Sequence, residues 1–241
     1  MTRLSVNVNK VALLRNTRTL DVPNVVEAAL TCIRAGAHGI TVHPRPDERH
    51  IRRADVLDLA KAVTVEFNVE GFPDERYLDI VTQVRPTQAT LVPDAPQQKT
   101  SDHGWDVVRD GAFLAPIIGK LKGLGIRVSL FVDPAPAQVE AAAGVGADRV
   151  ELYTEPYARA FAAGDCRAML QTYADAARRA TDLGLKVNAG HDLNLRNLRT
   201  FCEAVGCVAE VSIGHALIAD ALEMGLHEAV REYLKQLQPT G

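Results

Sequence analysis

The chain has 241 residues, 47% of them hydrophobic and 24% charged, with a formal net charge of −3. That length is near the ~250 residues of a (β/α)8 barrel and can bury a large core; the balance of charge leaves no basic footprint for nucleic acid. No apolar run approaches the ~20 residues of a membrane span, the N-terminus is too polar for a signal peptide, and Cys32, Cys166, Cys202 and Cys207 form no CxxC pair, as expected of reduced thiols in a cytoplasmic protein.

In chain order, strands are predicted near residues 4–8, 39–43, 65–69, 88–92, 126–132, 149–153, 185–189 and 208–213. Helical periodicity separates them, as in Val25, Val26, Ala29, Leu30 and Ile33. A unit recurs: an Ala-rich helix, a Gly (Gly36, Gly125, Gly146, Gly184, Gly206), then an apolar, often β-branched run. The Gly can end the helix in a left-handed conformation, and the run after it suits a buried parallel strand. Strict alternation predicts α/β with a parallel sheet. Eight units favour a closed TIM barrel, with residues 1–241 as one domain. The long connections 93–111 and 154–166 predict extra helices or a lid after strands four and six.

A barrel places its active site at the C-terminal ends of its strands. Strand one ends in Asn7 and Asn9-Lys10, with Arg15 and Arg18 beyond. Strand two ends in His43, followed by Arg45, Arg49 and His50. Strand three ends in Asn68 and Glu70, and strand four leads to Thr100 and Ser101. Strand six carries Glu151, strand seven ends in Asn188-Ala189-Gly190-His191, and strand eight in Gly214-His215. Acids and bases converging in one cleft need a compensating reason, so His43, Glu70 and His191 read as functional. Glu151 reads either as a site residue or as a core ion-pair member. His38, His103 and His227 read as solvated surface, and Arg52 and Arg53 are as easily a basic face as a site.

Gly214-His215 opens a helix whose N-terminus can attract an anion, in the loop that this fold commonly uses for phosphate. Arg45, Arg49, His50, Arg52 and Arg53 make a second basic cluster, so two phosphorylated substrates would fit. A metal centre could draw on His43, Glu70, His191 and His215, but no close-spaced ligand motif appears. A Schiff-base aldolase would need a desolvated lysine; the candidate, Lys186, lies at the wrong end of its strand and reads as a salt-bridged structural residue.

At these residues the chain resembles the pyridoxine 5'-phosphate synthase family. The matching segments are Val6-Asn7-Val8, Leu14-Arg15-Asn16, Gly36 to Arg45, Arg49-His50-Ile51, Phe67 to Glu70, Leu91-Val92-Pro93, Val128 to Asp133, Leu185 to His191 and Ile213 to Ala216. The resemblance implies condensation of 3-amino-2-oxopropyl phosphate with 1-deoxy-D-xylulose 5-phosphate, releasing water and inorganic phosphate, without metal or organic cofactor, in a homo-octamer. It implies His43 and Glu70 as proton acceptors, His191 as proton donor and Glu151 as a transition-state stabiliser. Arg45, His50 and Thr100 would hold the deoxyxylulose phosphate, along with Asn9 and Lys10, where many members have Asp-His. Asn7, Arg18, Gly214 and His215 would hold the aminoketone phosphate. Asp192, where the usual residue is Gly, would lie beside a phosphate, and His103 also replaces a Gly. A barrel of the same descent that binds phosphorylated metabolites, or a phosphosugar aldolase or isomerase, is the alternative.

Overall fold

The computed structural model describes residues 1–94 and 101–238. Eight parallel strands close into a barrel in sequence order: β1 (Arg3–Asn7), β2 (Gly39–Val42), β3 (Glu66–Gly71), β4 (Gln88–Leu91), β5 (Arg127–Val132), β6 (Arg149–Tyr153), β7 (Lys186–Gly190) and β8 (Val208–Ile213). Closure comes from β8 pairing back onto β1, with Leu4 opposite Val211 and Val6 opposite Ile213. The expected closed barrel is present; β6 and β8 have the limits read from the sequence, and the other strands agree within two residues.

Eleven helices surround the strands among the described residues. α1 (Asn9–Arg15) and α2 (Val25–Arg34) follow β1; α3 (Arg53–Ala62) follows β2; α4 (Glu75–Val84), α5 (Val107–Gly123) and α6 (Pro136–Gly144) follow β3, β4 and β5. α7 (Glu155–Ala162) and α8 (Arg167–Asp182) follow β6, α9 (Leu198–Val205) follows β7, and α10 (His215–Met224) and α11 (Leu226–Gln236) follow β8. Side-chain caps start several of them: Asn24 accepts from the Glu27 N–H and Asp74 from the Tyr77 N–H. The glycines that close the repeating units all take positive φ, from 76° at Gly206 to 104° at Gly36.

The extra helix expected after strand six is α7. After β4, residues 95–100 lie outside the described residues, and the described ones before α5 form no further helix. There the chain crosses the barrel rim instead. Trp105 N donates to the Phe131 carbonyl at 2.8 Å and Trp105 Nε1 to the Leu91 carbonyl at 3.0 Å. Gly104 permits the crossing, since a Cβ there would lie 2.3 Å from Asp133 N.

Strand alternation is inverted relative to an oil-filled barrel. Residues such as Ile40, Val42, Phe67, Val69, Val150 and Leu152 are buried in the apolar core that the surrounding helices complete. The lumen, which in this fold is usually layered with Val, Ile and Leu, carries buried polar side chains. Ser5 Oγ and Thr41 Oγ1 share a 2.7 Å hydrogen bond, and Asn68 donates to Thr41 at 3.3 Å. Thr90 donates to Asn68 at 2.9 Å, Gln88 to Thr90 at 3.2 Å, and Arg127 to Gln88 at 2.9 Å. At the N-terminal end Glu66 pairs with Arg127 and lies 3.5 Å from Arg149, which is also 3.5 Å from Glu210. Burial and the Glu66 charge push the Glu210 carboxyl up to about 8.

Candidate active site

The C-terminal ends of the strands surround a cavity of about 550 Å³. Its first wall is built by a relay of asparagines. Asn7, ending β1, accepts at Oδ1 from the Asn9 N–H at 3.0 Å, and Asn9 Oδ1 accepts from the His43 N–H at 2.9 Å. The start of α1 is thereby tied to the end of β2, and Lys10 lines the cavity beside them.

His43 is buried, with Nδ1 3.9 Å from Glu70 Oε2. Burial, reinforced by the Arg45 charge, holds its pKa well below the usual histidine range, so the imidazole is neutral and able to take a proton. Glu70 follows from the alternation of β3, which puts Glu66, Asn68 and Glu70 inward. Burial and then the carboxylates of Glu151 and Asp94 push Glu70 well above the ordinary carboxylate range, against the pull of Arg45. Burial likewise pushes Glu151 up to about 7, opposed by His191. Two buried carboxyls in one cavity titrate as a pair rather than singly. Glu151 Oε2 is buried without a hydrogen-bond partner, and no ion pair among the described residues involves Glu151. Of the two readings of this residue, membership of the core ion cluster is therefore corrected: that part is played by Glu66, Arg149 and Glu210.

On the opposite wall His191 takes φ 76°, hydrogen-bonds through Nδ1 to Asp192 Oδ2 at 2.5 Å and meets the Tyr153 ring edge-on at 5.4 Å. Hydrogen bonding to His191 holds the Asp192 carboxyl below its usual range. Gly214 caps α10 with His215 and Ala216 beside it on the cavity wall. The uncompensated N–H groups of a helix start suit an anion there.

Three members of the second basic cluster, Arg45, Arg49 and His50, are also at the cavity. Arg45 is buried and pairs with Asp94 at 2.5 Å, and Ser101 donates to the same Asp94 oxygen at 2.7 Å. His50 accepts at Nδ1 from the Ile51 N–H at 2.9 Å, and burial with the Arg45 charge pushes its pKa down to about 4. It is a neutral ring that can donate through Nε2. Arg49 lines the same wall.

Several expectations change. Arg18 is exposed in the turn after α1 and does not line the cavity. Thr100 lies outside the described residues. Arg52 is exposed and Arg53 pairs with Asp79 at 2.6 Å, so neither serves the site. His38 is half-buried rather than solvated, because its Nδ1 accepts from the Leu4 N–H at 3.2 Å; His103 and His227 are exposed as expected. Lys186 is exposed at the start of β7, in no ion pair among the described residues, so the salt bridge expected of it is absent. No group of three or more His, Cys, Asp or Glu among the described residues is arranged to hold a metal ion. Asp94 escaped the sequence reading; its position just past Val92-Pro93 at a strand end was the available signal.

The family model described as pyridoxal phosphate biosynthesis protein PdxJ matches residues 4–239. This chain belongs to that family. Among PdxJ relatives, the pyridoxine 5'-phosphate synthase of Porphyromonas gingivalis is 56% identical over 237 residues, covering 98% of this chain and 99% of that one. The enzyme of the same name from Bacteroides thetaiotaomicron is 54% identical, covering 97% and 98%. Solved structures of phosphoribosylanthranilate isomerase from Thermotoga maritima (TM-score 0.60, 15% identity, 98% of each chain) and tryptophan synthase from M. tuberculosis (TM-score 0.68, 14% identity, 99% and 93%) share the fold. No helix among the described residues is long and apolar enough to cross a membrane.

Proposed function

We propose that this chain is a pyridoxine 5'-phosphate synthase, joining 3-amino-2-oxopropyl phosphate to 1-deoxy-D-xylulose 5-phosphate with loss of water and inorganic phosphate. Identity above 50% over nearly the full length of enzymes bearing that name supports it. The observation that carries it at the site is one cavity that combines a neutral His43, the Glu70–Glu151 carboxyl pair and His191 with one wall bearing Arg45, Arg49 and His50 and another formed by the start of α10.

Imine formation followed by ring closure requires repeated proton transfers to and from carbon, nitrogen and oxygen. Groups that titrate near neutrality serve best. In this reading neutral His43 accepts protons, Glu70 accepts one in its ionised form, His191 donates one, and Glu151 stabilises a transition state. Arg45 and His50, with Asn9, Lys10 and Thr100, hold the deoxyxylulose phosphate. Asn7, Gly214 and His215, with Asp192, hold the aminoketone phosphate; Arg18, exposed beyond α1, is left out of this set. The reading takes the chain as one barrel domain acting in the cytoplasm as a homo-octamer without a cofactor. Purified protein given both substrates should release phosphate and form pyridoxine 5'-phosphate in equal amounts. Phosphate release without the pyridine chromophore would end this reading.

A further inference from the structure

We propose that Arg15 and Asn16 are positioning residues for the deoxyxylulose phosphate subsite, fixing the loop that presents Arg49 and His50. The proposal rests on the assignment of that subsite above, and it gives a task to the Leu14-Arg15-Asn16 segment, which the chemistry leaves without one.

The pair stands at the end of α1, one strand away from the loop it holds. Arg15 is 3% exposed, and its guanidinium grips Asp55 with both outer nitrogens, at 2.5 and 2.8 Å. The same group donates to the His50 carbonyl at 3.2 Å and, at 3.0 and 3.1 Å, to Asn16 Oδ1. The amide nitrogen of Asn16, so oriented, meets three successive loop carbonyls: Glu48 at 3.3 Å, Arg49 at 3.1 Å and His50 at 2.8 Å. Asp55 also accepts from the Arg52 N–H at 2.7 Å, so the end of the loop is set by the same carboxylate.

A salt bridge between two helices would need Arg15 and Asp55 alone. It would not need an amide aimed at the backbone of the two residues that line the cavity. The His50 ring shows why backbone placement matters. Its Nδ1 is occupied by the next residue's own N–H, so its donor is Nε2–H, and that direction is inherited from the loop. On the far side Arg76 holds the Pro44 carbonyl at 2.8 Å and Glu48 Oε1 at 3.1 Å, but the carbonyl of His50 is reached from Arg15 and Asn16.

Three variants of the full-length enzyme test this. Asn16→Ala removes the amide, Asn16→Asp keeps an acceptor for Arg15 but no donors, and Arg15→Lys keeps charge without the bidentate grip. KM for 1-deoxy-D-xylulose 5-phosphate should rise about tenfold or more, the loss expected when a hydrogen bond to a charged group is misaligned. KM for the aminoketone phosphate and kcat should stay within about twofold, since ground-state binding at one subsite is what changes. A merely structural tie would lower Tm and leave both KM values alone, and that result overturns the proposal. His50→Ala separates the two possible failures. A KM rise there with none in the Asn16 variants overturns the positioning role alone. No rise in any of them overturns the subsite assignment and the positioning role with it.

Discussion

Replacing Gly190 with alanine tests whether the position of Glu151 sets the rate. Gly190 ends β7, and a Cβ on it would lie 2.4 Å from Glu151 Oε1 and 3.2 Å from the Ser212 carbonyl. Ordinary contact begins at 3.4 Å, so the carboxylate must retreat by about 1 Å. Its backbone is not left-handed, so alanine brings no torsional strain. Pushing Glu151 off its rotamer costs about 1 kcal/mol, which lowers Tm by only a few degrees in a chain of this size. A misplacement of ~1 Å can lower the rate by ~10²-fold, near 2.7 kcal/mol of barrier. The assay is kcat at saturating levels of both substrates, followed by phosphate release, beside a thermal melt. In a Glu151→Ala background the clash is gone, so Gly190→Ala should add little further loss. Full turnover in the single variant refutes the reasoning. An undiminished loss in the double variant places the fault in the β7 backbone or His191 instead.

Glu70→Gln should lose about 10²–10⁴ in kcat while substrate Kd changes little, as measured by single-turnover kinetics and equilibrium titration; weaker binding at full turnover would make Glu70 a binding residue. Glu151 has a folded pKa of about 7 against 4.5 for the free side chain, so the folded state holds the extra proton between those values. Its contribution to stability therefore falls as pH rises from 4.5 through about 7. Urea midpoints should show Glu151→Gln gaining on the wild type between pH 5 and pH 8, and an equal difference at both would contradict the buried carboxyl. Asp94→Ala takes one partner, at 2.5 Å, from buried Arg45, with a cost of up to about 3–5 kcal/mol by chemical denaturation. A cost below about 1 kcal/mol would mean that the pair contributes no more than a surface bridge.

The barrel was legible because its strands announce themselves locally. Gly36, Gly125, Gly146, Gly184 and Gly206 each end a helix two or three residues before a strand. His43, Glu70, His191 and His215 were legible as a group because strand ends fix one rim. What stayed hidden depends on distance or direction. Asp94 becomes a site residue through Arg45, 49 positions away, and Asn16 through carbonyls more than 30 positions away. α1 is too short at seven residues to show a period. Arg18 follows a strand end in sequence, yet the turn after α1 carries it outward to an exposed position.

The polar lumen constrains how this barrel can change. Where layers of Leu and Val fill a barrel, one residue can shrink while a neighbour grows, because only volume must be conserved. Here Thr90 donates to Asn68 and accepts from Gln88. Valine fits the same space but strands an acceptor on one side and a donor on the other, each at about 1–3 kcal/mol. Interior substitutions that remove a donor or an acceptor therefore need a matching change in the next residue along the column. A single apolar replacement carries a penalty that a change of volume alone does not, and the polarity of each hydrogen bond in the lumen constrains its neighbours.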